Sequence, residues 1–161
     1  MKRLLIYVFL LPILVLFSGC NAKDANKDQD VDLDLSPFSI SEINRDVQLS
    51  IKESDINTAP KEITLVFENQ SDIEYLFGEI TYLDVKIEDA WYSFPNKDNV
   101  AWTALAYPLP PHSSNELIFP IDTYFDNIVS GQYRIIKKLS IYDDPQNSSY
   151  IMVEFDIGNS D

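Results

Sequence analysis

The sequence predicts an all-β protein, an antiparallel β-sandwich of about seven to nine short strands. Three observations lead there. Apolar and polar residues alternate with a period of two in one short run after another. Turn-forming residues separate nearly all of these runs, and no stretch has the period of a long helix.

The first strand is carried by Val47, Leu49 and Ile51, which alternate with Gln48, Ser50 and Lys52. Ile63, Leu65 and Phe67 repeat the pattern, after a connection from Ser54 to Pro60 and before the turn Asn69-Gln70-Ser71-Asp72. Residues 75–86 are β-rich around Gly78, and a glycine inside a strand pattern predicts a bulge or bend. Residues 90–94 end against Pro95, and residues 96–99 form a polar loop.

An apolar run over 100–107 reads as the next strand. Pro108, Pro110 and Pro111 follow, and proline forbids helix continuation and donates nothing to a ladder. Residues 111–115 form a turn before a strand over 116–121, and residues 122–128 have room for a single helical turn. Gly131 opens a strand to about Ile141, and residues 150–157 form the last one. Asn69-Gln70-Ser71 and Asn147-Ser148-Ser149 match a glycosylation acceptor pattern and are read as turns.

Gly131-Gln132-Tyr133-Arg134-Ile135 fits the tyrosine corner of immunoglobulin-like sandwiches, in which a tyrosine at the start of a late strand hydrogen-bonds back to the preceding crossover. Ile135 then occupies the place of the second disulfide cysteine in antibody domains. Further motifs stand in register with it: Glu62-Ile63-Thr64-Leu65, Phe77-Gly78-Glu79, Ala90-Trp91-Tyr92, Ala101-Trp102-Thr103 and Leu109-Pro110-Pro111-His112-Ser113-Ser114. Their order resembles that of a bacterial immunoglobulin-like domain family over about residues 45–157. The resemblance implies the sandwich fold and a small exported protein or lipoprotein, often Gram-positive, and it implies no catalytic residues.

The chain divides into three expected parts: 1–19, 20–44 and a single domain over 45–158. Lys2 and Arg3 precede an uninterrupted apolar run of 14 residues, Leu4 to Phe17, the pattern of a signal peptide. A spanning helix needs about 20. Ser18-Gly19 before Cys20, with Leu16 four positions ahead, resembles the lipobox of bacterial lipoproteins, so Cys20 is the expected lipidation site. Two acyl chains suffice for stable attachment where one does not. This places the protein at the cell membrane on its extracytoplasmic face, with the lipid on Cys20 as its membrane contact. Cys20 is the sole cysteine, so an intramolecular disulfide is excluded.

Residues 21–44 carry few apolar groups and read as a flexible acidic tether that would hold the domain on the order of 25 to 30 Å from the lipid. Asp28, Asp30, Asp32 and Asp34 alternate as in a calcium loop, but the glycine and closing glutamate are missing.

The net charge is −14. Loss of residues 1–19 removes two of 12 basic and none of 26 acidic residues, which leaves 10 against 26, a net of −16. Such a chain is repelled by nucleic acid and by anionic lipid surfaces, and no nucleic-acid partner is expected.

No catalytic constellation is legible, and neither a cofactor nor a metal is implied. His112 stands alone in a turn, without the second histidine or cysteine that would set a ligand spacing. There is no G-x-S-x-G elbow and no phosphate-cradling glycine loop. The expected function is therefore a non-catalytic, membrane-anchored binding or accessory module. Trp91 and Trp102 are the candidate anchors for an unknown protein or glycan partner, though aromatics on sandwich strands mostly fill the core. Two other readings stand beside it: a proteinase inhibitor presenting residues 108–115, and an envelope hydrolase using surface carboxylates.

Overall fold

The computed structural model of the chain describes residues 33–39 and 43–158. The signal-peptide and Cys20 expectations lie outside these residues, as do Asp28, Asp30 and Asp32.

Among the described residues eight strands and one helical turn follow in order: β1 (Val47–Ile51), β2 (Ile63–Asn69), β3 (Tyr75–Ile87), β4 (Ala90–Ser93), β5 (Ala106–Leu109), β6 (Ser114–Phe119), α1 (Ile121–Tyr124), β7 (Gly131–Ile141) and β8 (Asp144–Ile157). They form two antiparallel sheets. One has the order β1-β2-β6; the other runs β4-β3-β7-β8, with β5 also paired to β3. This is an immunoglobulin-like sandwich, as the strand pattern predicts.

The core lies between the inward faces. Ile63, Leu65 and Phe67 from β2 meet Phe77 and Leu83 from β3 and Ile135 and Leu139 from β7, all essentially inaccessible to water. The rings of Phe67 and Phe77 stack at 4.0 Å and join the two sheets at the centre. With no disulfide to tie the sheets, this apolar packing is the dominant stabilising contribution.

The glycine-marked bulge falls in β3. Phe77 pairs with Leu139 and Thr81 with Lys137, so β3 spends four steps where β7 spends two. An even excess preserves the alternation: Tyr75 and Phe77 point inward before the bulge and Leu83 after it. Lys137 has the inward parity of Ile135 and Leu139, and it fills the gap. Its ammonium donates to the carbonyls of Gly78 at 2.6 Å and Glu79 at 3.0 Å and to Thr81 Oγ1 at 3.0 Å. Burial lowers its pKa to about 7, with the nearby Glu79 carboxylate opposing.

Three boundaries differ from the pattern reading. The strand expected over 100–107 is instead Ala106–Leu109 and includes Pro108. The proline is tolerated because β5 pairs on one side alone, with β3. The strand expected over 116–121 is Ser114–Phe119, and Ile121 opens α1 instead. The last strand starts at Asp144, not residue 150, so Asn147-Ser148-Ser149 is strand and not turn. Its polar early residues hid a strand whose first half is largely exposed.

The largest difference lies ahead of β1. The expected tether includes residues 33–39, and these do not form a free spacer. Leu35 bridges Tyr92 on the edge of β4, where the Ser36 amide donates to the Trp91 carbonyl and the Ser93 amide to the Asp34 carbonyl, both at 2.9 Å. Farther on, Ile43 bridges Tyr150 in parallel on β8, at the opposite edge of the same sheet.

Candidate binding surface

The five-stranded sheet has an outward face, and its residues are set by alternation. On β3 these are Leu76, Tyr82, Asp84 and Lys86; on β7 they are Arg134, Ile136 and Lys138. Outward residues of a sandwich are ordinarily wet, yet Asp84, Arg134 and Ile136 are 1%, 3% and 0% exposed. The segment of residues 34–38 contributes a cover.

Asp84 and Arg134 are directly paired across β3 and β7. Arg134 Nε donates to Asp84 Oδ2 at 2.8 Å. The Ser36 hydroxyl donates to the same oxygen at 2.6 Å and accepts from an Arg134 terminal nitrogen at 3.0 Å, which also donates to the Phe38 carbonyl at 3.1 Å. The other carboxylate oxygen, Asp84 Oδ1, is buried and has no hydrogen-bond partner among the described residues. Trp91 stands opposite Lys86 on the same face, with the Arg134 guanidinium 4.7 Å from its ring centre. The Phe38 ring packs against Tyr82 at 4.9 Å and Tyr150 at 5.0 Å. Trp91 is thus half-buried in a cation–π contact inside this cluster.

Beyond Tyr82 the same face opens into a groove of about 350 Å³. Leu76, Ile80 and Tyr82 form its floor, and residues 103–106 form one wall. Ile80 and Leu105 are 46% and 56% exposed. Gly78 lies against this wall, where a Cβ would come into van der Waals contact with the Leu105 carbonyl oxygen at 3.4 Å. The groove's carboxylate, Glu79, is already engaged. Hydrogen bonds from Thr103 and from the Tyr107 hydroxyl, the latter at 2.9 Å, hold its pKa below the usual range.

Trp102 is elsewhere. Its ring lies flat on Tyr124 at 3.9 Å and is half-buried against the core with Phe119. It lines a small cavity of about 130 Å³ beside β6. The structure therefore does not bring the two tryptophans together. Tyr133 is fully buried, and its hydroxyl donates to the Val129 carbonyl at 2.9 Å while accepting from the Val129 amide at 3.2 Å. That loop back onto the preceding crossover is the geometry of a tyrosine corner, and burial raises the phenol's pKa.

His112 caps the turn between β5 and β6. It is exposed, takes a left-handed backbone with φ of 50°, and faces Asp72 at 2.8 Å. The turn is braced from inside by Asn69, whose amide nitrogen donates to the carbonyls of Ile73, Leu109 and Pro110. Pro108 and Leu109 belong to β5 and residues 114–115 to β6, so of the candidate inhibitor segment only residues 110–113 project.

Carboxylates do share one cleft. Glu53, Asp55, Glu154 and Asp156 line a space of about 450 Å³ between β1 and the end of β8. Burial would raise the Glu53 pKa, but hydrogen bonds from Thr64 prevail and lower it. A general acid needs the opposite shift. Among the described residues no three His, Cys, Asp or Glu side chains are grouped to hold a metal, and no helix is long and apolar enough to cross a membrane.

Asp84, Arg134 and residues 34–38 escaped sequence reasoning. The one available signal was a charged pair at outward positions of two central strands, flanked by Tyr82 and Ile136.

No curated protein matches the chain. A family model described as Bacterial Ig-like domain matches residues 44–155, from just ahead of β1 to near the end of β8. With that match spanning most of the chain, and with two sheets and a tyrosine corner in place, the protein belongs to the bacterial Ig-like domain family.

Proposed function

We propose that the protein is a lipoprotein, anchored through Cys20 on the extracytoplasmic face of the cell membrane, whose Ig-like domain binds a protein partner and catalyses no reaction. The groove carries this reading. Its lining is mainly aliphatic, and it places exposed Ile80 and Leu105 beside each other on an otherwise strongly acidic molecule. A glycan would call for several converging polar groups, whereas an apolar ridge of a protein matches aliphatic walls. The chain's net negative charge favours a partner with a basic rim. The lipobox-like Leu16-Phe17-Ser18-Gly19-Cys20 supports the anchor.

Two experiments test it. A photo-crosslinking side chain at Ala104 should trap one partner on intact cells, and Ile80→Asp with Leu105→Asp should abolish the adduct without lowering the thermal midpoint, since both residues are exposed. Persistence of the adduct overturns the groove. Cys20→Ala should release the protein from the membrane fraction or accumulate its precursor, and unchanged fractionation overturns the anchor.

A further inference from the structure

The cover formed by residues 34–38 has the features of a bound peptide. It adds backbone to the edge of β4 through two hydrogen bonds, Ser36 to Trp91 and Ser93 to Asp34. It places one aromatic ring between Tyr82 and Tyr150. It also sets one hydroxyl and one carbonyl against the Asp84–Arg134 pair. Edge addition for affinity and side-chain pockets for selectivity is a known mode of peptide recognition.

Three observations separate this from a merely structural strand. The surface under the cover is charged, and a buried ion pair contributes less to stability than apolar residues of the same size would. The fit is incomplete, because Asp84 Oδ1 is buried without a donor among the described residues. The family match begins at residue 44, so residues 34–38 lie ahead of the matched stretch.

We infer that the outward face around Trp91, Arg134 and Asp84 is a peptide-binding site that residues 34–38 occupy in cis as an imperfect ligand. The occupant in trans is an extended segment of a partner protein with a hydroxyl residue two positions before an aromatic one, the pattern of Ser36-Pro37-Phe38. Such a segment displaces the cover when it also supplies a donor to Asp84 Oδ1. This inference is independent of the groove, and the two sites have separate tests.

The test uses the full chain and a fluorescent peptide with the sequence of residues 33–39, followed by anisotropy. Phe38→Ala in the protein empties the aromatic slot, so this variant should bind the peptide saturably. The wild type should bind it at least about tenfold more weakly, because its own segment competes. Peptides with alanine in place of Ser36 or of Phe38 should lose most of the affinity. A Ser36→Ala protein, a milder lesion, repeats the measurement if Phe38→Ala fails to unfold cooperatively. Failure of a folded variant to bind, equal binding by wild type and variant, or indifference to the two peptide substitutions would each overturn the site.

Discussion

The Arg134 guanidinium lies 2.8 Å from the Asp84 carboxylate on the outside of the sandwich, yet neither side chain touches water appreciably. Both point away from the core by strand alternation. The segment ahead of the domain, with Trp91 alongside, contributes to their burial, so a local charge pair is coupled to residues about 50 and 100 positions away in the chain.

That coupling predicts an asymmetric response to substitution. Arg134→Met leaves an uncompensated buried carboxylate and should cost about 3 to 5 kcal/mol in urea denaturation. Asp84→Leu combined with Arg134→Met should lose less than Arg134→Met alone. Additive losses would contradict the pairing.

The cover also predicts a local change in hydrogen exchange. In Phe38→Ala the amides of Ser36 and Ser93 should exchange faster, since their acceptors lie across the contact between the cover and β4. The Phe94 amide, bonded to the Leu83 carbonyl inside the sheet, should keep its protection.

Lys137 predicts a pH dependence. Its folded pKa of about 7 lies below the 10.5 of a free lysine. The cost of burying the ammonium is thus fully present below pH 7. Between pH 7 and 10.5 the unfolded chain holds a proton that the folded chain releases, so stability relative to Lys137→Met should rise with pH, by at most about 1.4 kcal/mol per unit. A gap that stays flat over this window would show that the ammonium keeps its proton. At pH 6 the same substitution leaves the carbonyls of Gly78 and Glu79 without their donor, and amide exchange around the bulge should quicken.

Asn69→Ala removes the brace of the β5–β6 turn. It strips a buried donor from three carbonyls and an acceptor from the Ser71 amide. A loss of about 2 to 3 kcal/mol is expected from chemical denaturation. Tyr133→Phe, which deletes a single hydroxyl from a retained ring, should cost only about 1 kcal/mol. A reversed order of these two losses would mean that the corner contributes more to stability than the turn.

Much of the frame was readable from residue order. Alternation at Val47-Leu49-Ile51 and Ile63-Leu65-Phe67 specified β1 and β2, Gly78 marked the bulge, and Gly131-Gln132-Tyr133 marked the corner. Strand limits were less legible where pairing outweighs composition. Pro108 sits in a strand because that strand has a free side, and Asn147-Ser148-Ser149 does so because β7 offers it a ladder. Trp91 and Trp102 were conspicuous by type, but their type did not say that one stacks on Arg134 and the other on Tyr124.

By itself the sequence determined which residues face inward, because a period of two and the transfer of apolar groups from water depend on local order alone. It also determined the sign of the charge and the lack of any disulfide. Tertiary structure alone decided what covers the outward face. Leu33 to Ser39 looked too polar to order itself, and its ordering comes from partners on β3, β4, β7 and β8, far off in sequence. A contact whose free energy comes from a distant surface leaves no periodicity in the segment that makes it.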